Sequence, residues 1–581
     1  MITSSRPTGQ PLAFPCHSRS QPPVHRRLAR LVFGLSATLA LVCVGLPGVH
    51  AAIRTPAASL PALQLPVLQS TSFVRNFNTF STNALDNKGS IYEPLYIVTY
   101  VNNGKQTPWL ATAYQWSKDL KTLTFTIRQG VKWSDGQPLT AKDVYYTIML
   151  AKQNPAFDAA GLWTSLGATG VTAVGADKIA IRFKTADVTH FPLLVNNLYI
   201  LPEHIWSHVQ DPLHWTNPNP VGSGPFTQVE DFSGQSFALA KNPYYWNKQV
   251  VVPALRFTQD TTQDALTLAL KAGQGDWVQA VIPQADKVFV AANPRYNHYD
   301  YATPVAALVM YPNMTKYPFT LPVFRKALSL AINRTAVWKN AEFGYEPPSD
   351  STGLSGAWPS WDMAGKDLPN TLAQYNPTAA KNMLMKAGFT MRNGRLMDPK
   401  GHPVSITLQV TSTWFDWVAA QQIMAQNFKD IGIDAGVKLM QFPQWLDNLQ
   451  KGNFDLMECC GGTFASPYAF YDSMFGSEWL RPIGTLAGSN NIGRYQNAAM
   501  DALFADYRRT LDASQQHALV GQMQKLFIQQ LPVIPLVYGA LWEDYTTRHY
   551  TGFPDKGNYY ADGRGIAPDR LLVFAHLRPT Q

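Results

Sequence analysis

Residues 123–144 read Leu-Thr-Phe-Thr-Ile-Arg-Gln-Gly-Val-Lys-Trp-Ser-Asp-Gly-Gln-Pro-Leu-Thr-Ala-Lys-Asp-Val, and they hold a strand, a turn and a helix start in quick succession. Leu123, Phe125 and Ile127 alternate with Thr124 and Thr126, the period of two expected when one face of a strand is buried. Gly130 breaks that run, and Trp133-Ser134-Asp135-Gly136 supplies a tight turn. Thr140-Ala141-Lys142-Asp143 has capping-box spacing, in which the two polar side chains satisfy otherwise orphaned backbone N–H groups, so a helix starts there.

Working outward, Val171 to Val174 leads through Gly175-Ala176-Asp177 into alternating Ile179, Ile181 and Phe183, a second hairpin signal. Val323, Ala327 and Ala331 run beside Phe324, Leu328 and Ile332 as two i, i+4 rows, with Pro322 acceptable in the first turn of that helix. A further helix carries Trp417, Ala420, Met424, Phe428 and Ile431 and stops at Gly432 in a left-handed cap. Both stripes read first as core faces. Strand-like and helix-like stretches intermingle without a fixed period, which predicts a mixed α/β or α+β protein and no solenoid.

The N-terminal residues read as an address. Arg26, Arg27 and Arg30 precede an apolar run from Leu31 to Leu46 that closes at Val49-His50-Ala51. The run is shorter than the roughly 20 residues a membrane-spanning helix needs, and its ending suits a signal-peptidase cut, so residues 1–51 are expected to be a cleaved signal peptide. Residues 52–70, rich in Ala, Pro and Leu, read as a linker. Cys16 and Cys43 fall in the removed segment. Cys459 and Cys460 are adjacent, a spacing too strained for a routine bridge and too sparse for zinc, so neither a disulfide framework nor a metal is expected. The formal charge of +9 arises from only 15% charged residues, without a Lys/Arg run outside the signal, which excludes a nucleic-acid stripe. With 46% hydrophobic and 12% aromatic residues, the chain can fill more than one core.

Several segments now line up in order: Trp109-Leu110-Ala111 with Tyr114-Gln115-Trp116, the 123–144 stretch, Pro202-Glu203-His204-Ile205-Trp206, Pro220-Val221-Gly222-Ser223-Gly224-Pro225-Phe226 and Lys241-Asn242-Pro243-Tyr244-Tyr245-Trp246. Arg325-Lys326-Ala327-Leu328, Ala387-Gly388-Phe389, Phe454-Asp455-Leu456 and Pro532-Val533-Ile534-Pro535-Leu536 follow. Together they resemble the signature pieces of bacterial family 5 solute-binding proteins, the oligopeptide, dipeptide and nickel class that serves ABC importers.

That resemblance implies an α/β, two-lobed periplasmic-binding-protein-like fold of type II with an extra small domain, closing by hinge motion. It implies lobe I from 71–100, 205–312 and 537–581, a small inserted domain at 101–204, and lobe II at 313–536. It implies a monomeric, cofactor-free substrate-binding subunit, in the periplasm or on the extracellular face, that takes an oligopeptide-like solute to a membrane permease. An oligosaccharide resembling cello-oligosaccharide is the alternative ligand, and a secreted hydrolase the distant alternative. In peptide-binding members an aspartate pair after the Phe-Asp-Leu strand meets the ligand amine; here Thr463 and Ser466 stand at those positions, leaving Asp416, Glu458 or Asp472 to substitute or the ligand without an ammonium.

Rings cluster where the cleft of such a fold lies, and the expected ligand-binding residues are Asn76, Trp414, Trp417, Thr463, Phe464 and Tyr468. Trp163 and Tyr471 belong to the same aromatic set, although each ring also suits a core position. His204 and His208, spaced i, i+4, with His214 nearby, read as structural, and no metal ligand is expected. No catalytic residue is expected either: Gly222-Ser223-Gly224 lacks the frame of a nucleophile elbow and reads as a glycine turn, and no phosphate-binding Gly-x-x-x-x-Gly-Lys loop occurs.

Overall fold

The structure is a computed structural model that describes residues 60–68, 71–81, 83–301, 306–354, 356–412, 414–460, 464–488 and 490–581. The signal expected over 1–51 and Thr463 lie outside the described residues.

The chain first lays down β1 (Leu63–Leu68) and a hairpin of β2 (Tyr96–Thr99) with β3 (Lys105–Pro108). β4 (Ala111–Trp116), β5 (Thr122–Ile127), β6 (Ala168–Val174) and β7 (Lys178–Phe183) form a sheet in the order β4-β5-β7-β6. Leu123, Phe125 and Ile127 point inward with Ile179, Ile181 and Phe183, as both alternating patterns require. The helix α1 (Ala141–Gln153) starts at Thr140, whose backbone N–H donates to Asp143 Oδ2 at 2.8 Å while its own hydroxyl accepts from Lys142 N, closing the capping box. The helix α2 (His190–Asn197) follows.

β8 (Phe226–Glu230), β9 (Ser236–Lys241) and β10 (Ala254–Asp260) join β1 in the order β1-β10-β9-β8. The sequence reading put Leu63–Leu68 in a linker; instead these residues pair in parallel with β10 and bury Leu63 and Leu65. Pro61 and Pro66 disguised a strand that lies at the sheet edge, where proline is tolerated. The 220–226 turn explains its glycines: a Cβ on Gly222 would stand 2.1 Å from Ile91 O, and one on Gly224 2.3 Å from Ser90 O.

β11 (Trp277–Val278) and β12 (Asn297–Asp300) flank a later strand, β20 (Glu543–Thr546). Between them in sequence lies the second large sheet, β17-β16-β18-β13-β19. It contains β13 (Ala306–Pro312), β16 (Ser405–Thr411), β17 (Asp434–Met440), β18 (Leu456–Cys460) and β19 (Ile534–Gly539), while β14 (Thr390–Arg392) and β15 (Arg395–Met397) make a separate hairpin. β16, β17, β18 and β19 run one way and β13 runs against them. Residues 306–312 and 537–539, given to lobe I from sequence, therefore hydrogen-bond within this second sheet. The helices α3 (Pro322–Ala331), α4 (Arg334–Asn340), α5 (Phe415–Asp430), α6 (Phe442–Lys451), α7 (Pro467–Phe475) and α8 (Ala498–Arg508) belong to this part of the chain. The predicted apolar stripes of α3 and α5 are buried, and Gly432 caps α5 at φ +91°.

Two large hydrophobic cores result, one built from residues between Leu63 and Trp277 plus Ala465 and the C-terminal segment, the other from Ala307 to Val537, with a smaller cluster between Leu266 and Tyr301 and a contact of Val101 with Leu541. β12 of the first body leads on to β13 of the second, and β19 of the second leads back to β20; the two crossings are neighbours where they meet the first body, because Asp300 at the end of β12 pairs with Glu543 at the start of β20.

Candidate solute-binding edge

The four co-directional strands end along one edge of the second sheet, and four connections leave from it: 412–414 into α5, Gln441 into α6, the segment after β18 into α7, and 540–542 toward β20. Crevices outside the carboxyl ends of such strands are where α/β sheets hold ligands. The loop between α4 and Pro348 lies along the same edge, since Glu346 Oε1 accepts from Ala540 N at 2.9 Å and Tyr538 N donates to Pro347 O. This loop also reaches the first body: Tyr345 OH accepts from Ala285 N at 3.0 Å, and its ring packs edge-on to Tyr301 and Trp542.

Aromatic side chains line the edge. Trp414 is half-buried and lies 4.7 Å from Trp417, 4.9 Å from Trp445 and 5.6 Å from Phe442, ring centre to ring centre. Phe415 and Phe343 pack at 5.9 Å and remain exposed, as does Phe442. Trp417 is buried and Trp414 half-buried, so Trp414 is the more solvent-facing of the pair. Phe464, half-buried in the connection after β18, meets Phe470 edge-on at 5.9 Å.

The other expected contacts are occupied elsewhere. The Asn76 amide donates to Ser81 Oγ and Asn83 Oδ1 and accepts from Asn78 N, so it organises its own loop. Tyr468 is buried, stacks on Tyr507 at 4.4 Å, and accepts from Arg508 Nε at 2.6 Å. Arg508 also binds Asp472 at 2.8 Å and Glu478, and reaches Asp187 Oδ2 of the first body at 3.6 Å while its carbonyl accepts from Val188 N. Asp472 is thus committed to an ion cluster across the seam, with burial raising its carboxyl to about 6. Tyr471 OH donates to Thr352 O, and Trp163 Nε1 to Ile148 O. His204 pairs with Asp135 at 2.7 Å and His214 with Asp211 at 2.8 Å. Among the described residues no group of three or more His, Cys, Asp or Glu is arranged to hold a metal ion.

The sequence reading did not single out Glu342, Phe343, Phe415 or Phe442, which lie in or beside the connections along this edge. Phe415 and Phe442 carried a usable signal, since each opens a helix directly after a strand; Glu342 and Phe343 carried none.

A family model described as bacterial extracellular solute-binding proteins, family 5 Middle, matches residues 105–480. This chain belongs to that family. The family 5 protein is 26% identical over 409 residues to the nickel-binding periplasmic protein of Escherichia coli (strain K12), covering 69% of this chain and 75% of that one. It is 24% identical over 424 residues to the oligopeptide-binding protein AppA of Bacillus subtilis (strain 168), covering 71% and 74%. Its fold matches the crystal structure of a periplasmic oligopeptide-binding protein from Thermotoga maritima with TM-score 0.78 at 24% identity, over 89% of this chain and 99% of that one. The mannohexaose-bound form of the same Thermotoga protein matches at TM-score 0.70 and 24% identity, over 89% and 98%. The family 5 protein therefore has the two-lobed α/β fold of type II binding proteins. No helix among its described residues is long and apolar enough to cross a membrane.

Proposed function

We propose that this family 5 protein takes an oligopeptide-like solute between its two bodies outside the membrane and hands it, unchanged, to an ABC permease. In this reading residues 60–300 and 543–581 form one lobe, with 101–204 as its small domain, and 306–539 form the other. The observation that carries the reading is the edge of aromatic side chains beside the two crossings, where a solute contacts one body and is covered by the other. Trp414 and Phe464 serve as stacking surfaces, and the seam of Arg508, Asp187 and Val188 holds the closed state. The protein acts as a monomer without a cofactor, and the peptide-binding names of several relatives support the ligand class.

Thermal-shift screening against free peptides and cello-oligosaccharides tests this. A true solute at 100 times its Kd adds roughly 2.7 kcal/mol to stability. Shifts with sugars alone replace the peptide by an oligosaccharide stacked on Trp414, Phe415 and Phe442, and steady turnover of a peptide or glycoside by pure protein overturns the receptor reading.

A further inference from the structure

One carboxylate oxygen in the seam between the bodies stands between two bases. Asp187, in the turn before α2, accepts from Thr189 N at 2.9 Å through Oδ1. Its Oδ2 lies 3.6 Å from Arg508 Nε of the second body and 3.4 Å from Nε2 of His190, the first residue of α2. Val188 N donates to Arg508 O at 3.0 Å, so side chain and backbone cross the seam at the same place.

His190 is 7% exposed, with its ring 4.8 Å from that of Phe183 in β7. Its Nδ1 is buried and has no hydrogen-bond partner among the described residues. A neutral imidazole suits this place: the single N–H sits at Nε2, facing the carboxylate, and Nδ1 keeps a lone pair. A second proton makes Nδ1 a buried donor without an acceptor, and it sets a cation where Arg508 already stands. Opening relieves both, since Arg508 leaves with the second body and water reaches the ring.

The charged groups that act on the ring are Asp187 from its own turn and Arg508 from α8. Tyr468 and Asp472 of α7, with Glu478 beyond that helix, hold Arg508 on the second body and travel with it. β2, which packs on α2, brings Tyr96 against Phe191.

We propose that His190 is an acid sensor of closure, whose protonation displaces Arg508 from Asp187 and Val188 so that the seam opens as the medium acidifies. In the receptor reading, on which the proposal rests, that opening frees the solute. Burial holds the imidazole below its ordinary 6.5, with Asp187 acting upward and Arg508 downward. The open form binds the proton more readily, so closure is fully stable above 6.5 and is lost as pH falls below it.

Hydrogen exchange of the full chain, read by mass spectrometry on the peptide that carries Val188 and corrected for the pH dependence of the intrinsic rate, reports the seam without any solute. Protection there should fall severalfold between about pH 7.5 and about pH 5, with the peptide over β5 unchanged. His190→Gln stays neutral and can still donate to Asp187, so it should remove the acid step and keep the protection. Should that variant fail to fold, Arg508→Gln retains the carbonyl that accepts from Val188 N but presents no charge to His190, and its acid step should shrink. No step in the parent, or a step of parental size in either folded variant, overturns the proposal. The two readings fail separately: thermal shifts with peptides or cello-oligosaccharides at a pH-independent seam leave the receptor and overturn the sensor, whereas an acid-opened seam that His190→Gln abolishes, with no shift in either panel, supports the sensor and removes the receptor.

Discussion

Glu93 sits fully buried between Trp109 and the Tyr245-Trp246 pair, and its replacement by glutamine gives the sharpest test of the packing described above. Its carboxylate accepts from Trp109 Nε1 at 2.7 Å, Tyr245 OH at 3.0 Å and Trp246 Nε1 at 3.2 Å, and it makes no salt bridge among the described residues. Burial outweighs those donors and raises the carboxyl from 4.5 to about 7. The folded state thus keeps a proton that the unfolded chain has released between pH 4.5 and 7. Stability from this group is fully present below 4.5, falls as pH rises through that window, and is gone above 7, the reverse of a salt-bridged carboxylate. At about 1.36 kcal/mol per unit, the loss amounts to roughly 3 kcal/mol.

Glutamine cannot titrate, so the stability of Glu93→Gln relative to the parent should climb by about 3 kcal/mol between roughly pH 4 and pH 8. Urea unfolding followed by tryptophan fluorescence across that range measures the difference, and taking the difference cancels the slopes of other buried acids such as Asp362 and Asp569. Parallel pH profiles for the two proteins would refute the reasoning, because they would mean that Glu93 is already ionised in the folded state at acidic pH.

Gly224→Ala should destabilise by about 3 kcal/mol or more, seen as a lower melting temperature, because its Cβ would press on the Ser90 carbonyl and neither backbone can yield without moving the 220–226 turn. Arg508→Ala should cost on the order of 3 kcal/mol by stripping the counter-charge from the buried Asp472, and the closed form should become less populated by small-angle scattering; an unchanged melting curve and radius of gyration would show that the seam bears no load. Trp414→Ala should weaken solute binding about tenfold while Trp414→Phe retains most of it, and calorimetry with equal affinities in all three proteins would remove Trp414 from the site.

Local chemistry was enough to place the strand over 122–127, the turn at 133–136 and the capped start at Thr140, since each depends on neighbours only a few positions away. The buried stripes of α3 and α5 were legible for the same reason: a helix brings i and i+4 together whatever surrounds it. Trp414 was legible as a ring at a strand-to-helix turn. That Asn76 organises its own loop was not legible, because an asparagine in that role has the same local sequence as one that meets a ligand. The pairing of Tyr468 was not legible either, because its partner, Arg508, is forty positions away.

By itself, then, the sequence determined the mixed α/β class and the helix and strand faces, set by short-range periodicity and capping, and the family resemblance, carried by the order of its signature segments. Only the tertiary structure decided that Leu63–Leu68 is a sheet strand, that β12 and β20 pair where the chain crosses between the bodies, and that Phe343 and Phe415 pack together at one edge. Parallel pairing joins strands through connections of many residues, so which loops end side by side depends on sheet order and register, and no local pattern encodes either.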